Sequence, residues 1–207
     1  TTSNLANQIV GPFCFNSCDN CDSQNMSLSF DGQDDYVNIP YTTELNSFSD
    51  QISVTTYFKV TGKVGEHRNI VTNGNVSGFA FTVSAENKLR PHIMVDSGWW
   101  YYDGQTTIEL DTWYHGAFVY DGATFKLYLD GELNGSQDGG SGNIINYNDD
   151  LLIGKFPFND IQNFPGFIDH VTIWDRALTA DEVKGSMLPS LAVAEQGLLG
   201  FWDFNDG

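Results

Sequence analysis

The chain has 207 residues, 41% of them hydrophobic and 14% aromatic, which is enough for one substantial core and excludes intrinsic disorder. Nine Lys and Arg stand against 27 Asp and Glu, so the formal net charge is −18. This charge repels phosphate backbones and anionic membrane surfaces, so neither nucleic acid nor a membrane is an expected partner. No apolar run approaches the roughly 20 residues of a membrane-spanning helix, so direct membrane insertion is not expected. The acidic balance instead favours bound cations or neutral ligands such as sugars.

Residues 1–25 are polar and turn-rich, and they are predicted to form an N-terminal extension that carries Cys14, Cys18 and Cys21. The C-x3-C-x2-C spacing also occurs in the iron–sulfur motif of radical SAM enzymes, but nothing downstream alternates strand and helix as their barrel requires. A zinc site needs a fourth ligand, and no His lies nearby. We therefore favour one local disulfide and a leftover thiol, which fits an oxidising, extracellular setting.

From residue 26 onward, short alternating runs are separated by Asp-Gly and Asn-Gly turns, which is typical of antiparallel strands. The sequence predicts strands at 26–30, 36–39, 52–60, 69–72, 78–84, 88–95, 99–102, 106–110, 113–120, 125–129, 151–154, 166–174 and 197–204. Short strands at nearly even spacing predict an all-β, two-sheet sandwich or jelly roll.

One segment, near residues 179–185, has the pattern of a helix. Thr179 followed three residues later by Glu182 forms a capping box, and Asp181 and Glu182 suit the helix dipole. Gly185 permits an early stop, so we expect one or two turns, too short to form a packing helix.

Four segments carry a resemblance to a known family. They are LSFDGQDDYVNIP (28–40), DTWYHGAFVYDGATFKLYLDGEL (111–133), LLIGKFP (151–157) and FPGFIDHVTIWDRALTADEV (164–183). Their order and spacing resemble the laminin-G-like, concanavalin-A-like jelly-roll superfamily, and the resemblance covers a domain at 26–207. It implies two stacked, curved sheets, one of them concave, and a non-catalytic module for carbohydrate or protein recognition, often with a structural calcium ion.

The resemblance also implies where that calcium ion would bind, because in related folds the ion ties an N-terminal turn to a late strand. The matching positions here are Asp31, Gly32, Asp34, Asp35 and Asp169. Asp169 interrupts an apolar strand, and burying a lone carboxylate is costly unless it is paired, hydrogen-bonded or metal-bound. The alternative is that Asp169 accepts hydrogen bonds from backbone amides. We expect Ca²⁺ as the cofactor, with oxygen ligands from separate parts of the chain.

Some relatives by fold are glycoside hydrolases with an E-x-D-x-x-E motif on one strand face. Glu109 and Asp111 match its first two positions, but Tyr114 occupies the third. The four His are scattered, and no serine-hydrolase elbow or zinc-protease motif occurs. We therefore expect no enzymatic activity and no catalytic residues.

The segment Asp96–Gly104 holds four consecutive aromatic residues, which a strand distributes two to each face. Exposed aromatic rings between carboxylates suit a sugar ring, although cross-strand packing that only rigidifies the sheet is an equal alternative. A second candidate is the loop at 156–164, and a third is the segment at 67–69, where an arginine could hold an acidic sugar or a peptide carboxylate. The predicted ligand-binding residues are Trp99, Trp100, Tyr102, Asp96, Arg68, Asn159 and Asp160.

Together these features predict an extracellular, secreted or cell-surface recognition module whose partner is a glycan or a cell-surface glycoprotein. The alternatives are a protein–protein adhesion module and a polysaccharide-degrading glycoside hydrolase. The closing strand is followed by a turn at which the sequence stops, so we expect neighbouring domains in a longer chain.

Overall fold

The computed structural model of the protein describes residues 26–73, 78–146, 148–188 and 196–204, together with the backbone of 7–10. The strands are β1 (Asn7–Val10), β2 (Met26–Asp31), β3 (Val37–Ile39), β4 (Ile52–Val60), β5 (Arg68–Asn73), β6 (Phe79–Val83), β7 (Leu89–Val95), β8 (Gly98–Tyr101), β9 (Trp113–Tyr120), β10 (Thr124–Leu129), β11 (Glu132–Asp138), β12 (Leu151–Ile153), β13 (Pro165–Trp174) and β14 (Leu198–Trp202). A 3-10 turn spans Glu44–Asn46, and helix α1 spans Ala180–Gly185. The three cysteines lie outside the described residues.

The strands form two sheets. The larger has eight strands in the order β1-β2-β13-β4-β9-β10-β11, with β14 paired to the second half of β13. The smaller has six strands in the order β3-β12-β5-β6-β7-β8. All pairings between these strands are antiparallel, which confirms the predicted all-β sandwich. Within the described ranges, no helix has the length and apolar character that crossing a bilayer requires.

The main core fills the space between the sheets, because each strand turns alternate side chains inward. Phe118 on β9 packs against Phe79 and Phe81 on β6, with ring centroids 5.9 and 5.2 Å apart. All three rings are fully buried or nearly so. Complete burial of such a side chain stabilises the fold by about 1.5–3 kcal/mol, so these inward positions hold the two sheets together.

A second, smaller apolar cluster covers the outer face of the eight-stranded sheet. Val183 of α1 and Leu178 pack there against Trp174, Val119 and their neighbours. The predicted capping box is confirmed, since Thr179 accepts from the Glu182 amide and the Glu182 carboxylate accepts from the Thr179 amide. The expectation that α1 is too short to pack is wrong, because Val183 is completely buried.

The predicted strand at 106–110 is also wrong. Its backbone amides bond to separate partners instead of one neighbouring strand: Thr106 N to Oδ1 of Asn134, Ile108 N to the Asn87 carbonyl and Glu109 N to the Tyr114 hydroxyl. Conversely, β11 was not predicted. It is an edge strand with exposed polar residues and a central glycine, so it lacks the alternation that identifies a strand.

Gly166 allows β13 to approach β4 closely. Its φ of +142° lies in a region that residues with a side chain rarely adopt, and an added Cβ would lie 2.0 Å from the Lys59 carbonyl oxygen. Only glycine fits this position without moving one of the two central strands.

We expect Gly166→Ala to destabilise the fold by roughly 2–6 kcal/mol, from backbone strain and overpacking together. Urea denaturation of wild type and variant measures the difference. Gly185→Ala is the matched control, because its added Cβ would meet no atom within 4 Å apart from its own helix backbone and the adjacent residues. An equal decrease in the free energy of unfolding in the two variants would contradict the steric argument.

His115 is a buried histidine on the outer face of β9. Its ring packs edge-on against Tyr57, with centroids 4.9 Å apart, and its Nε2 lies 3.3 Å from Oγ of Ser186. Burial lowers the pKa of His115 to about 3, and the nearby His170 adds to this. The folded protein therefore holds this imidazole neutral, whereas the unfolded chain protonates it near pH 6.5.

Because the folded state binds the proton more weakly, His115 should destabilise the fold as the pH falls below 6.5. At pH 5 its expected contribution is a loss of about 2 kcal/mol relative to neutral pH. Urea denaturation at pH 7 and pH 5 gives the free energy of unfolding of wild type and of His115→Gln. The loss of stability between the two pH values should be larger in wild type by the contribution of His115. Parallel pH profiles would show that His115 is not the responsible group.

Candidate functional site

The outer face of the six-stranded sheet carries an exposed aromatic surface, and the pairing of β7 with β8 creates it. Met94 pairs with Trp99 and His92 with Tyr101, so the side chains of each pair point the same way. Trp99 is 40% exposed and Tyr101 56% exposed, away from the core. Trp100 and Tyr102 point the opposite way and pack against the core.

The aromatic rings continue as a row along this face. The rings of His92 and Tyr101 stack with centroids 5.4 Å apart, and those of His67 and His92 meet edge to face at 6.5 Å. At the other end of the row, the Arg90 guanidinium lies 5.3 Å from the Tyr101 ring centroid. Neighbouring rings thus restrict the orientation of the exposed Tyr101.

Beside the aromatic row, β5 and β6 supply hydroxyl and amide groups. Thr72 donates to Oδ1 of Asn69, and the Asn69 side chain donates to the Gln162 carbonyl. Thr82 donates to the Arg90 carbonyl. These contacts fix the polar side chains in place.

The loop at 154–163 forms a wall over this surface and brings Phe156 and Gln162 to it. Asn159 Oδ1 accepts from the Gln162 amide, and Asn163 Oδ1 accepts from the Phe156 amide. Lys63 holds the same loop from below, because its Nζ donates to the carbonyls of residues 160, 161 and 163.

Sheet and loop together border a cavity of about 390 Å³ that opens to solvent. That volume lies in the range of small-molecule sites. The cavity is lined by aromatic, amide, hydroxyl and imidazole groups: His67, Asn69, Thr72, Asn73, Phe79, Ala80, Thr82, His92, Trp99, Tyr101, Phe156 and Gln162. We treat this cavity as the candidate binding site.

Both histidines of the cavity are poor bases. Burial lowers the pKa of His92 to about 4, with further lowering by Arg90 and His67. Burial also lowers the pKa of His67. Their imidazoles are therefore neutral at pH 7, and each offers one donor and one acceptor nitrogen.

Trp99 is the one predicted ligand-binding residue that lines the cavity. Tyr102 instead donates its hydroxyl to the Gly135 carbonyl, and Trp100 donates its indole N–H to Ser97. Asp96 accepts from the Asn143 amide and closes a neighbouring loop.

The other predicted ligand-binding residues, Arg68, Asn159 and Asp160, lie near the cavity but do not line it. Arg68 is completely buried and donates to the Ser84 carbonyl and to Oδ1 of Asn87, both at 2.6 Å. Asn159 and Asp160 belong to the wall loop but do not line the cavity, and Asp160 lies 3.8 Å from the Lys155 ammonium.

Of the twelve cavity residues, only Trp99 was predicted by name, and five others lie in the candidate segments at 67–69, 96–104 and 156–164. One further signal points to His92 and Tyr101. In β7, the buried Leu89, Pro91, Ile93 and Val95 alternate with less buried residues, so the positions between them face outward. The turn at 96–97 then pairs His92 with Tyr101 on that outward face.

Of the predicted calcium ligands, the structure brings three together. The carboxylates of Asp31, Asp34 and Asp35 offer oxygen atoms within 4.8 Å of one another, and such a donor set fits a hard divalent cation. Some of these oxygens already accept hydrogen bonds: Asp31 accepts from the Gln33 amide at 2.7 Å, and Asp35 accepts from the Asp31 amide at 3.0 Å.

Asp169 does not join those carboxylates, and the backbone carbonyl of Gly32, beside Asp31, already has a cationic partner. The Gly32 carbonyl accepts from the Lys63 ammonium. Asp31 pairs with Pro165, so Asp169 lies four residues, about 13 Å, further along β13. There it is fully buried, accepts from the His170 amide at 2.8 Å and lies 2.9 Å from the His170 ring nitrogen. Burial raises the pKa of Asp169.

Glu109 and Asp111 lie in the turn before β9, away from the cavity. Asp111 has a φ of +58° and donates its amide to the Val60 carbonyl. Among the residues that the structure describes, neither Asp nor Glu lines the cavity.

Solved structures with the same fold include several domains that bind sugars. A candidate carbohydrate-binding protein of Bacteroides ovatus matches with a TM-score of 0.69 and 19% identity over 83% of this chain and 49% of its own. Domain 4 of an extracellular arabinanase of Geobacillus stearothermophilus, in complex with arabinotriose, matches with a TM-score of 0.60 and 21% identity, covering 79% and 77%. A sialidase carbohydrate-binding domain of Ruminococcus gnavus, bound to sialyllactose, matches with a TM-score of 0.58 and 16% identity, covering 74% and 96%.

At these identities the similarity shows the fold, and this chain spans about half the length of the Bacteroides ovatus protein. A search of curated protein sequences finds no match. The family model described as the concanavalin A-like lectin/glucanases superfamily matches residues 31–184, which is more than half of the chain. The chain therefore belongs to the concanavalin A-like lectin/glucanase superfamily.

Proposed function

We propose that this chain is a non-catalytic carbohydrate-binding domain whose ligand lies in the cavity on the outer face of the six-stranded sheet. The observation that carries the proposal is the exposure of Trp99 and Tyr101 on a face otherwise lined by amide and hydroxyl groups. The C–H face of a sugar ring packs on such aromatic surfaces. The side-chain amides of Asn69 and Gln162 can exchange hydrogen bonds with its hydroxyls.

Two kinds of relative support a glycan as the ligand. Domains of the same fold are bound to arabinotriose in one case and to sialyllactose in another. Because the arabinanase is extracellular and the similar unit is its fourth domain, we also propose an extracellular setting and a role beside neighbouring domains.

The cavity chemistry favours binding over hydrolysis. Retaining glycosidases need two carboxyl groups about 5–5.5 Å apart at the scissile bond. Neither Asp nor Glu lines the cavity among the described residues, and Glu109 and Asp111 lie in a separate turn. Cleavage of an oligosaccharide by this chain, lost in Glu109→Gln, would instead favour a hydrolase.

A protein partner is the second candidate, and the wall loop carries the observation that favours it. Phe158 is 51% exposed and Ile161 62% exposed on this loop, beside the cavity. Exposed apolar side chains of this kind are frequent in protein–protein contacts. Loss of a protein partner in Phe158→Ser, with no glycan bound in any assay, would support adhesion instead.

We expect Trp99→Ala to weaken glycan binding by about 10- to 100-fold, or about 1.4–2.8 kcal/mol, because it removes a central aromatic contact. Tyr101→Ala should have a similar effect. A glycan array identifies the ligand, and isothermal titration calorimetry then compares the dissociation constants.

Trp113→Ala is the matched control, since Trp113 lies on the outer face of the other sheet beside Lys59 and Phe167. It should bind with wild-type affinity. Equal losses in Trp99→Ala and Trp113→Ala, or unchanged binding in both, would argue against this cavity.

We also propose that a calcium ion binds at Asp31, Asp34 and Asp35, where the carboxylates converge. Calcium at 100 times its dissociation constant stabilises a fold by about 2.7 kcal/mol, which raises the melting temperature by roughly 5–10 °C. Chelation with EDTA should therefore lower the melting temperature of wild type and leave Asp34→Asn unchanged.

Glu44→Gln, an exposed acid on the 3-10 turn, should respond to EDTA as wild type does. A wild-type melting temperature that does not respond to EDTA would contradict the calcium site. Lys63 would then be the cation that links the Gly32 turn to the wall loop.

A further inference from the structure

We propose that the glycan bound in this cavity is neutral, and that sugars whose acidic group enters the cavity are excluded. This inference rests on the proposed function above. Its basis is that every Lys and Arg side chain is already engaged by other groups of the protein, while the cavity lining is uncharged.

The lining itself offers hydrogen bonds but no counter-charge. Its polar groups are the amides of Asn69, Asn73 and Gln162, the hydroxyls of Thr72, Thr82 and Tyr101, and neutral imidazoles. These groups pair well with sugar hydroxyls, which both donate and accept. A carboxylate or sulfate that leaves water needs a cation or several donors to offset its lost hydration.

Arg90 is the cation nearest the aromatic row, and two carboxylates hold it. Its Nε donates to Asp103 at 2.8 Å, and its Nη2 lies 3.4 Å from Glu86. Its side chain is 13% exposed, and its guanidinium lies over the Tyr101 ring. The three charges sum to −1, so this group repels an anion at the edge of the cavity.

Three further cations lie on the wall loop, in contact with it or next to lining residues in the sequence, and they are also engaged. Arg68 is completely buried in hydrogen bonds to Ser84 and Asn87. Lys63 donates to four backbone carbonyls. Lys155 lies 4.1 Å from the Tyr36 ring centroid and 3.8 Å from Asp160.

The remaining five cations lie elsewhere in the fold, each with a partner. Lys126, Arg176 and Lys184 form ion pairs, Lys88 donates to Gln105 and Thr107, and Lys59 lies over aromatic rings on the other sheet. These complete the nine Lys and Arg of the sequence, so residues outside the described ranges contribute none.

The overall charge acts in the same direction. With a formal net charge of −18, the protein repels an approaching anion at low ionic strength. A neutral sugar meets neither this repulsion nor an uncompensated desolvation cost. The association of a neutral sugar should therefore be nearly independent of salt.

The test compares neutral oligosaccharides with acidic counterparts that differ by one group. Suitable pairs are lactose with sialyllactose and xylo-oligosaccharides with their glucuronic acid-substituted forms, with arabinotriose as a further neutral probe. Calorimetry should give at least tenfold tighter binding of the neutral member, at a dissociation constant that stays the same between 20 mM and 500 mM salt.

Introducing a cation should change this preference. Ala80 lines the cavity opposite His92, so Ala80→Lys places a free ammonium there. We expect Ala80→Lys to bind the acidic member at least tenfold more tightly than Ala80→Gln does, because the two variants differ mainly in charge.

Two results would overturn the inference, and they differ from each other. Tighter binding of an acidic glycan by wild type, lost in Trp99→Ala, would show a glycan site that is not neutral. Absence of binding to every glycan probe would overturn the proposed function together with the inference.

Discussion

The register of β7 against β8 is the constraint on which the candidate site depends. The turn at 96–97 pairs Val95 with Gly98, and all later pairs follow from that one. Because Ile93 must face the core, its partner Trp100 does too, and Trp99 and Tyr101 are left outside. A shift by one residue would reverse every side chain, burying the two exposed rings and exposing the core ones.

The wall loop is the second requirement, and polar contacts position it. Asn163 donates to the Gln33 carbonyl at 2.6 Å, and Lys63 reaches the same loop and the Gly32 carbonyl. These contacts join the first turn of the domain to the loop before β13. Polar residues in this region therefore determine where Phe156 and Gln162 lie, although they do not line the cavity themselves.

The sandwich could be predicted from the sequence, whereas the candidate site could be predicted only in part. The physical reason is that burial leaves a pattern in the sequence and pairing between strands does not. Strands such as β4 and β9 were predicted with their observed bounds, because their inward-facing residues give an alternating pattern in the sequence. Edge strand β11 has no such pattern. The four aromatics at 99–102 show a similar ambiguity: alternation separates them into two pairs, but only the pairing with β7 identifies the outer pair.

Charged and polar residues were the hardest to interpret, since their role depends on partners far away in the sequence. Arg68 and Asp169 both suggested ligands, yet Arg68 bonds to a loop 16 residues away and Asp169 to the adjacent His170. The chain has three times as many Asp and Glu as Lys and Arg, and its few cationic side chains are held by such internal partners. A site built without them must rely on ring stacking and on the geometry of neutral hydrogen bonds, which distinguish sugars by hydroxyl orientation and not by charge.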